Sequence, residues 1–213
     1  MTLAPVTLHN VTTGGQLDLS SPTIGPMNTS AYNVVNSTNG LANFYDVVGA
    51  VHFKLQDLLN YTTYAAMFDQ YKIKKVTLTI DYLNNSSVVS GPGLMPKVYT
   101  YWDQDDSTVP VSLVQLTGKQ GTKSTQLTGS RLSHRFSVKP TIILGAQVEN
   151  GGTTSALVEN KSRWLDCADI AIQHNSIKFC ISDLYLPGGA TVTQGIRFNF
   201  KYHMSFRAPL IAN

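Results

Sequence analysis

The sequence predicts an all-β domain, built as a sandwich or jelly roll of about eight antiparallel strands. Several segments alternate apolar and polar residues with a period of two, which is the pattern of half-buried strands. Segments rich in Gly, Pro, Ser and Asn separate them. Long helical patterns are missing between the strands, so the strands should pair antiparallel rather than through crossover helices. The length of 213 residues fits one such domain.

The beginning of the chain is the least regular part. Pro5–Thr13 alternates weakly and predicts a first strand. Gly14–Asn43 is polar, contains Gly and Pro and has little periodicity, which is typical of an irregular arm or excursion. We therefore expect a single domain over residues 1–213. In it, residues 1–47 form the first strand and the arm, and residues 48–207 form the main body.

The main body opens with a strand, Val48–Leu55, and continues into a segment that changes its period. Apolar residues at helical spacing come first: Tyr64, Met67, Phe68 and Tyr71. A strict alternation follows and predicts a strand, with Val76, Leu78, Ile80 and Tyr82 on one face. Three lysines lie at the change of period: Lys72, Lys74 and Lys75. A helical turn is therefore expected to lead into a long strand with a positively charged start.

The rest of the chain contains five further predicted strands and one predicted helical turn. The strands are Lys97–Trp102, Leu132–Lys139, a short one around Trp164, Ser176–Leu184 and Gly195–Arg207, and the helical turn is Val111–Thr117. The loops between them are Asn84–Pro96, Gly118–Gly129, Leu144–Ser162 and the turn Pro187–Gly189.

Charge is scarce and unevenly distributed. Only 14% of the residues are charged, against about 25% in typical globular chains. Neutral polar loops or subunit interfaces explain such a surface, since interfaces are depleted in charge at their centres. The net charge is +3, too small to label the whole chain as nucleic-acid binding, and no Lys or Arg precedes Lys54. No stretch approaches the roughly eighteen apolar residues of a membrane span, so no membrane partner is expected.

The last predicted strand gathers cations on one face. One side carries only apolar residues: Ile196, Phe198, Phe200, Tyr202, Met204 and Phe206. The other side carries Arg197, Asn199, Lys201, His203, Ser205 and Arg207. Like charges two positions apart repel unless an anion lies over them. The face is therefore either a solvated surface screened by salt or a stripe that meets phosphate groups.

Five segments, in the same order, resemble the capsid proteins of circoviruses and related small viruses with circular single-stranded DNA. They are FKLQDLLNYTTY and FDQYKIKKV before and within the long strand, then YTYWDQDD, FSVKP, and RWLD followed by the strand Ile177–Ser182. The resemblance covers roughly Val51 to Phe206. It implies a single eight-stranded jelly roll that self-assembles into a T=1 icosahedral shell of roughly sixty copies around viral single-stranded DNA. It also implies a structural protein of the virion that acts in the infected cell's nucleus and has no catalytic residues or cofactor.

The same resemblance implies two kinds of site. In the family's jelly roll the last strand lies beside the long strand, on a sheet that faces the packaged DNA. The implied nucleic-acid-binding residues are Lys72, Lys74, Lys75, Arg197, Lys201, His203 and Arg207. The connection before the last strand lies near the fivefold axis in the family, so Pro187, Gly188 and Gly189 are expected at a subunit interface.

One feature departs from the family. Its members usually begin with an arginine-rich arm that binds the genome and directs nuclear import, and this sequence has no such segment or import signal. Either the arm is missing from the sequence, or DNA is neutralised otherwise. Roughly sixty copies at +3 give on the order of 180 charges, far below the thousands of phosphates of a genome. Small cations would then do most of the neutralising. The host receptor cannot be named from the sequence.

Two other kinds of protein remain as alternatives. The main one is a β-sandwich that recognises carbohydrate, for which Asp103, Asp105 and Asp106 beside an aromatic strand are a weak candidate for a calcium site. The second is a cupin-like enzyme, which needs clustered metal ligands. The five histidines are scattered, and His134, in phase with Leu132 and Phe136, is expected to be a core residue.

Overall fold

The computed structural model describes residues 6–16, 31–82, 94–104, 108–128, 132–146, 156–161, 163–185 and 196–209. Side chains are described for most of these, with the exception of residues 6–16, 31, 143–146, 156–161, 175 and 209. Within these ranges no helix is long and apolar enough to cross a membrane.

The chain is all-β, with two short α-helices and one 3₁₀ turn. The strands are β1 (Val6–Gln16), β2 (Ala31–Asn36), β3 (Phe44–Phe53), β4 (Phe68–Tyr82), β5 (Lys97–Trp102), β6 (Lys123–Gln126), β7 (Ser133–Val138), β8 (Ile142–Ala146), β9 (Ala156–Lys161), β10 (Leu165–Asp166), β11 (His174–Tyr185) and β12 (Ile196–Pro209). The helices are α1 (Tyr61–Met67) and α2 (Leu113–Thr117), and the 3₁₀ turn is Leu55–Asp57.

The described residues thus contain twelve strands where the sequence predicts eight. Each predicted strand has a counterpart, and the four additional strands are β2, β6, β8 and β9. Two of these lie at sheet edges: β2 pairs only with β3, and β6, of sequence KSTQ, only with β5. Edge strands need little apolar alternation, so the hydrophobic pattern does not reveal them. β2 lies within the segment expected to be an irregular arm.

The strands form two antiparallel sheets and one hairpin. In the first sheet the order is β1, β12, β4, and β4 then pairs with both β10 and β7. Since β12 pairs with β4 along its whole length, β7 and β10 share the opposite edge of β4. The second sheet has the order β2, β3, β11, β5, β6, and β8 pairs with β9. The chain crosses repeatedly between the two sheets, as in a jelly roll.

The core lies between the two sheets and is rich in aromatic rings. Phe53 of β3 contacts Phe200 and Tyr202 of β12, with ring centroids 6.3 and 6.0 Å apart. Phe179 of β11 lies 5.0 Å from Phe198 of β12. Every inward residue of β12 from Ile196 to Phe206 is at most 1% exposed. The alternation predicted for the last strand is confirmed.

The start of β4 corrects one sequence-based expectation. The helical spacing that joins Tyr64, Met67, Phe68 and Tyr71 is not one helical face, because α1 ends at Met67. Phe68 and Tyr71 belong to β4, and Tyr71 is fully buried in it. Tyr64 and Phe68 both pack on Phe206, with ring centroids 5.3 Å away. Spacing alone does not show whether this short apolar run is helix or strand. The structure places Phe68 and Tyr71 in a strand, where Phe68 packs on the last strand.

Candidate nucleic-acid interface

β12 lies directly beside β4, as the resemblance implies. The register runs antiparallel from the pair Ile196–Tyr82 to the pair Pro209–Phe68. Residues that face each other across such a pair have Cβ atoms about 4.5–5.5 Å apart on the same face of the sheet. The outward residues of the two strands therefore form one continuous surface.

The register decides which of these outward residues are neighbours. His203 faces Lys75, Lys201 faces Thr77, and Ser205 faces Lys72. Arg197 faces Asp81, whose carboxylate accepts a hydrogen bond from the Asn199 amide at 2.7 Å. Positive charge therefore concentrates toward the start of β4, and a carboxylate lies beside Arg197 at the other end. Sequence reasoning noted the absence of acidic residues on β12 itself and missed this acidic neighbour on β4.

A β-bulge in β4 places two consecutive lysines on the outer face. His203 pairs with Lys75 and Met204 with Ile73, so Lys74 is an extra residue without an opposite partner in β12. A bulge sets two residues of one strand against one of its neighbour. Lys74 and Lys75 are both exposed, while Ile73 and Val76 on either side are both buried. The bulge therefore lets two consecutive lysines point outward while the inner face of β4 stays apolar without a break.

β7 adds a residue that the sequence did not point to. Arg135 is exposed and faces Thr79, which in turn faces Asn199 of β12. On the same strand Ser137 faces Thr77, and their hydroxyl oxygens are 2.9 Å apart. The alternation of SHRFSV does place Arg135 outward, but only the pairing of β7 with β4 brings it beside the other cations. We call the resulting surface the basic face; it comprises Lys72, Lys74, Lys75, Arg135, Arg197, Lys201, His203 and Arg207.

Arg207 occupies a defined position at the edge of the basic face. Its guanidinium carbon lies 4.4 Å from the centre of the Trp164 ring, which is a cation–π contact. Its Nε donates a hydrogen bond to Oε1 of Gln70 at 2.7 Å. These two contacts tie the last strand to the segment before β10 and orient a side chain that is still exposed.

The aspartates proposed as a weak calcium site are only partly described. Asp103 is buried and pairs with Lys178 of β11, whose Nζ lies 2.8 Å from its Oδ2. An ammonium group therefore already neutralises this carboxylate. Asp105 and Asp106 lie outside the described residues, as do Pro187, Gly188 and Gly189 of the expected interface, and these expectations stay predictions. Among the residues that are described, no three His, Cys, Asp or Glu side chains cluster as metal ligands.

Two buried histidines are structural. His134 is 2% exposed, and its ring nitrogens lie within hydrogen-bond distance of Thr100 and Thr125. The expectation that it is a satisfied core residue is confirmed. His174 is also buried, with Nδ1 3.2 Å from the carbonyl oxygen of Phe53. Burial lowers the pKa of His174 to about 4, so the ring is neutral at pH 7.

Two antiparallel sheets in jelly-roll order define the class of jelly-roll proteins, which includes viral capsid proteins, lectin domains and cupins. The chain belongs to the circovirus capsid protein family, whose model matches residues 23–210. The family supports a structural role rather than an enzymatic one, and it makes the protein a component of the virion. Neither the carbohydrate-binding module nor the cupin-like enzyme is supported.

Similar solved structures agree on the fold. A 60-mer of the BFDV capsid protein has a TM-score of 0.59 and 15% identity, covering 100% of this chain and 98% of that one. A decamer of the same BFDV protein has a TM-score of 0.55 and 16% identity, covering 96% and 100%. The tobacco necrosis virus structure has a TM-score of 0.50 and 11% identity, covering 98% of each chain. A search of curated proteins finds no match.

Proposed function

We propose that this capsid protein self-assembles into an icosahedral shell of about sixty copies, encloses circular single-stranded DNA, and turns its basic face toward the phosphates of that DNA. The observation that carries the proposal is the pairing of β12, β4 and β7, which gathers cations from three strands on one sheet surface. Self-assembly is a property of the family, and the 60-mer of a similar fold supports the copy number.

The chemistry of the basic face suits the nucleic-acid backbone rather than the bases. Lysine and arginine side chains contact phosphate oxygens, which carry no sequence information. Base stacking needs accessible aromatic rings. Tyr202 and Phe206 of β12 point into the core and are at most 1% exposed. Binding by this face is therefore expected to be independent of sequence and strongly dependent on salt.

The modest charge limits what the face can do. At +3 per subunit, roughly sixty copies supply on the order of 180 positive charges. The basic face can then hold only a minor part of the backbone, and small cations screen the remainder. Its role is to hold DNA segments against the shell. The resemblance implies that assembly takes place in the nucleus.

The test is electron microscopy of purified particles, with the absorbance ratio at 260 and 280 nm measured on the same fraction. Closed particles with a nucleic-acid-like ratio are expected for the wild type, and a lower ratio for the double variant Lys74→Gln, Lys75→Gln. The matched control is the double variant Lys97→Gln, Lys123→Gln, which removes cations from the second sheet. Wild-type particles with a protein-like ratio, or equal loss of nucleic acid in variant and control, would contradict the role of the basic face.

A further inference from the structure

We propose that, in the assembled capsid, α2 of one subunit docks into the groove between α1 and the turn after β10 of a neighbouring subunit. The inference rests on the self-assembly of this capsid protein and does not depend on its binding DNA. The partner is a second copy of the chain, and the contact joins two different surfaces of the two copies.

The groove is an open cavity of about 600 Å³. Its apolar lining comes from Tyr61 and Ala65 of α1 and from Phe68 at the start of β4. α1 contains no fully buried residue, and its apolar side chains Tyr61, Tyr64 and Ala65 pack on the core while staying partly exposed. Leu59, just before α1, is 70% exposed, and Met67 at its end is 52% exposed. The groove and the residues that flank α1 thus present apolar surface that the subunit covers only in part.

The groove is also acidic. The side chains of Asp69 and Asp166 are exposed and line it. Burial, followed by the negative charges of Asp166 and Asp69, raises the pKa of the Cys167 thiol to about 11. Cys167 lines the groove together with both aspartates, and its thiol responds to their field. A segment that fills this groove should therefore combine apolar side chains with a positive charge.

α2 has this combination. Its inner side packs on the second sheet, where buried Leu116 clusters with Val48 and Cys180. Val114 of α2 is 63% exposed, next to the exposed Gln115 and Thr117, and Val111, two residues before the helix, is 66% exposed. The exposed Lys119 follows directly after the Gly118 that caps the helix. The exposed Val111 and Val114, together with Lys119 after the helix, complement the groove in polarity and charge.

The two surfaces belong to different parts of the subunit. α1 leads into β4 of the first sheet, whereas α2 packs on β11 of the second. A contact between two different surfaces of identical subunits is heterologous, and it generates a closed ring when its rotation closes. Each subunit of a shell has several neighbours, so this contact acts together with others and need not hold a dimer by itself.

The experiment compares the assembled fraction of purified variants by sedimentation velocity, with thermal unfolding of the free subunit as the folding control. Val114→Glu is expected to lower the assembled fraction at least tenfold at a concentration where the wild type is half assembled. Val34→Glu, on exposed β2, is the matched control and should assemble as the wild type. The single variants Asp69→Lys and Lys119→Glu should each assemble poorly, and the double variant should regain at least half of the wild-type level.

Normal assembly of Val114→Glu, or a double variant no better than its two parents, would overturn the proposed contact. Assembly is scored without regard to the nucleic-acid content of the particles. Particles that form normally but exclude DNA would therefore contradict the proposed function and leave this contact intact.

Discussion

The imidazole of His134 on β7 and the hydroxyl of Thr100 on β5 meet across the two sheets, with Nε2 2.9 Å from Oγ1. The other ring nitrogen lies 2.7 Å from Oγ1 of Thr125 on β6. His134 and Thr100 are both at most 2% exposed. These contacts form a polar link between the two sheets, and they connect β7 to the edge of the opposite sheet.

Replacing Thr100 by valine should destabilise the subunit. The substitution keeps the shape of the side chain but removes one hydrogen-bond partner of a buried ring nitrogen, which costs about 1–3 kcal/mol. Denaturant unfolding of the unassembled subunit measures the difference. Thr117→Val, at an exposed threonine of α2, is the control and should change the free energy of unfolding by less than about 0.5 kcal/mol. Equal stabilities of the two variants would refute the importance of the link.

His174 should contribute stability that is lost as the pH is lowered from about 6.5 to about 4. Its pKa is 6.5 in an unfolded chain and about 4 in the folded one, where burial disfavours the charged ring. The unfolded state therefore binds a proton first, and stability present above pH 6.5 is lost on acidification. The full loss is about 3 kcal/mol. The loss should appear as a pH-dependent difference between the unfolding free energies of the wild type and His174→Gln, measured at several pH values.

Asp57 works in the opposite direction over nearly the same range. Burial raises the pKa of its carboxyl to about 6, against 3.8 in an unfolded chain. The folded state therefore takes up this proton first, and acidification from pH 6 to 3.8 favours folding. The wild type alone should thus show a shallow pH profile. An His174→Gln variant should become more stable relative to the wild type as the pH falls, and a constant difference would contradict the assignment.

Arg207→Lys should separate the charge of Arg207 from its geometry. Lysine keeps the positive charge but loses the planar stacking on Trp164 and the hydrogen bond from Nε to Gln70. We expect a loss of about 1 kcal/mol in the free energy of unfolding, with nearly unchanged affinity for single-stranded DNA. Arg207→Gln loses both the positive charge and the stacking geometry, so both the free energy of unfolding and the affinity for single-stranded DNA should fall. A drop in DNA affinity for Arg207→Lys as large as for Arg207→Gln would show that the stacked geometry is needed for binding.

Arg135→Gln should weaken binding to single-stranded DNA of any sequence. Arg135 is exposed on β7 beside Thr79 and contributes one cation to the basic face. Log affinity falls with log salt concentration, and removing one phosphate contact makes this negative slope shallower by about 0.7 for a single strand. Fluorescence titrations at several salt concentrations measure the slope. Lys97→Gln, on the second sheet, is the control, and an unchanged slope for Arg135→Gln would remove this residue from the basic face.

The fold and the face of the last strand were predictable because both depend on local periodicity. The alternation from Ile196 to Phe206 identifies β12 and its buried side, and the structure buries each of those residues. The edge strands β2 and β6 were not predictable in this way. The pairing of β12 with β4 came from the resemblance to a family and not from any pattern in the strands themselves.

The composition of the candidate site depends on register, which a single sequence does not determine. Asp81 lies beside Arg197, and Arg135 joins the basic face, because specific residues of three strands are paired. A shift by two residues would keep every side chain on its face but change every neighbour. Sequence periodicity therefore identifies which residues point outward, whereas their mutual arrangement requires the pairing of the strands.

The bulge at Lys74 also has a consequence for how the cations are held. The charged residues of β4 and β12 sit on paired strands, so folding fixes the spacing of their backbone positions before any polyanion arrives. A disordered basic segment gives up conformational entropy each time it binds, whereas preorganised residues lose only side-chain freedom. The basic face is thus a rigid array of cationic residues. Its spacing is set by the strand geometry and shifts by one residue at the bulge of Lys74. Nucleic acid bound as proposed would have to adapt its path to this fixed spacing.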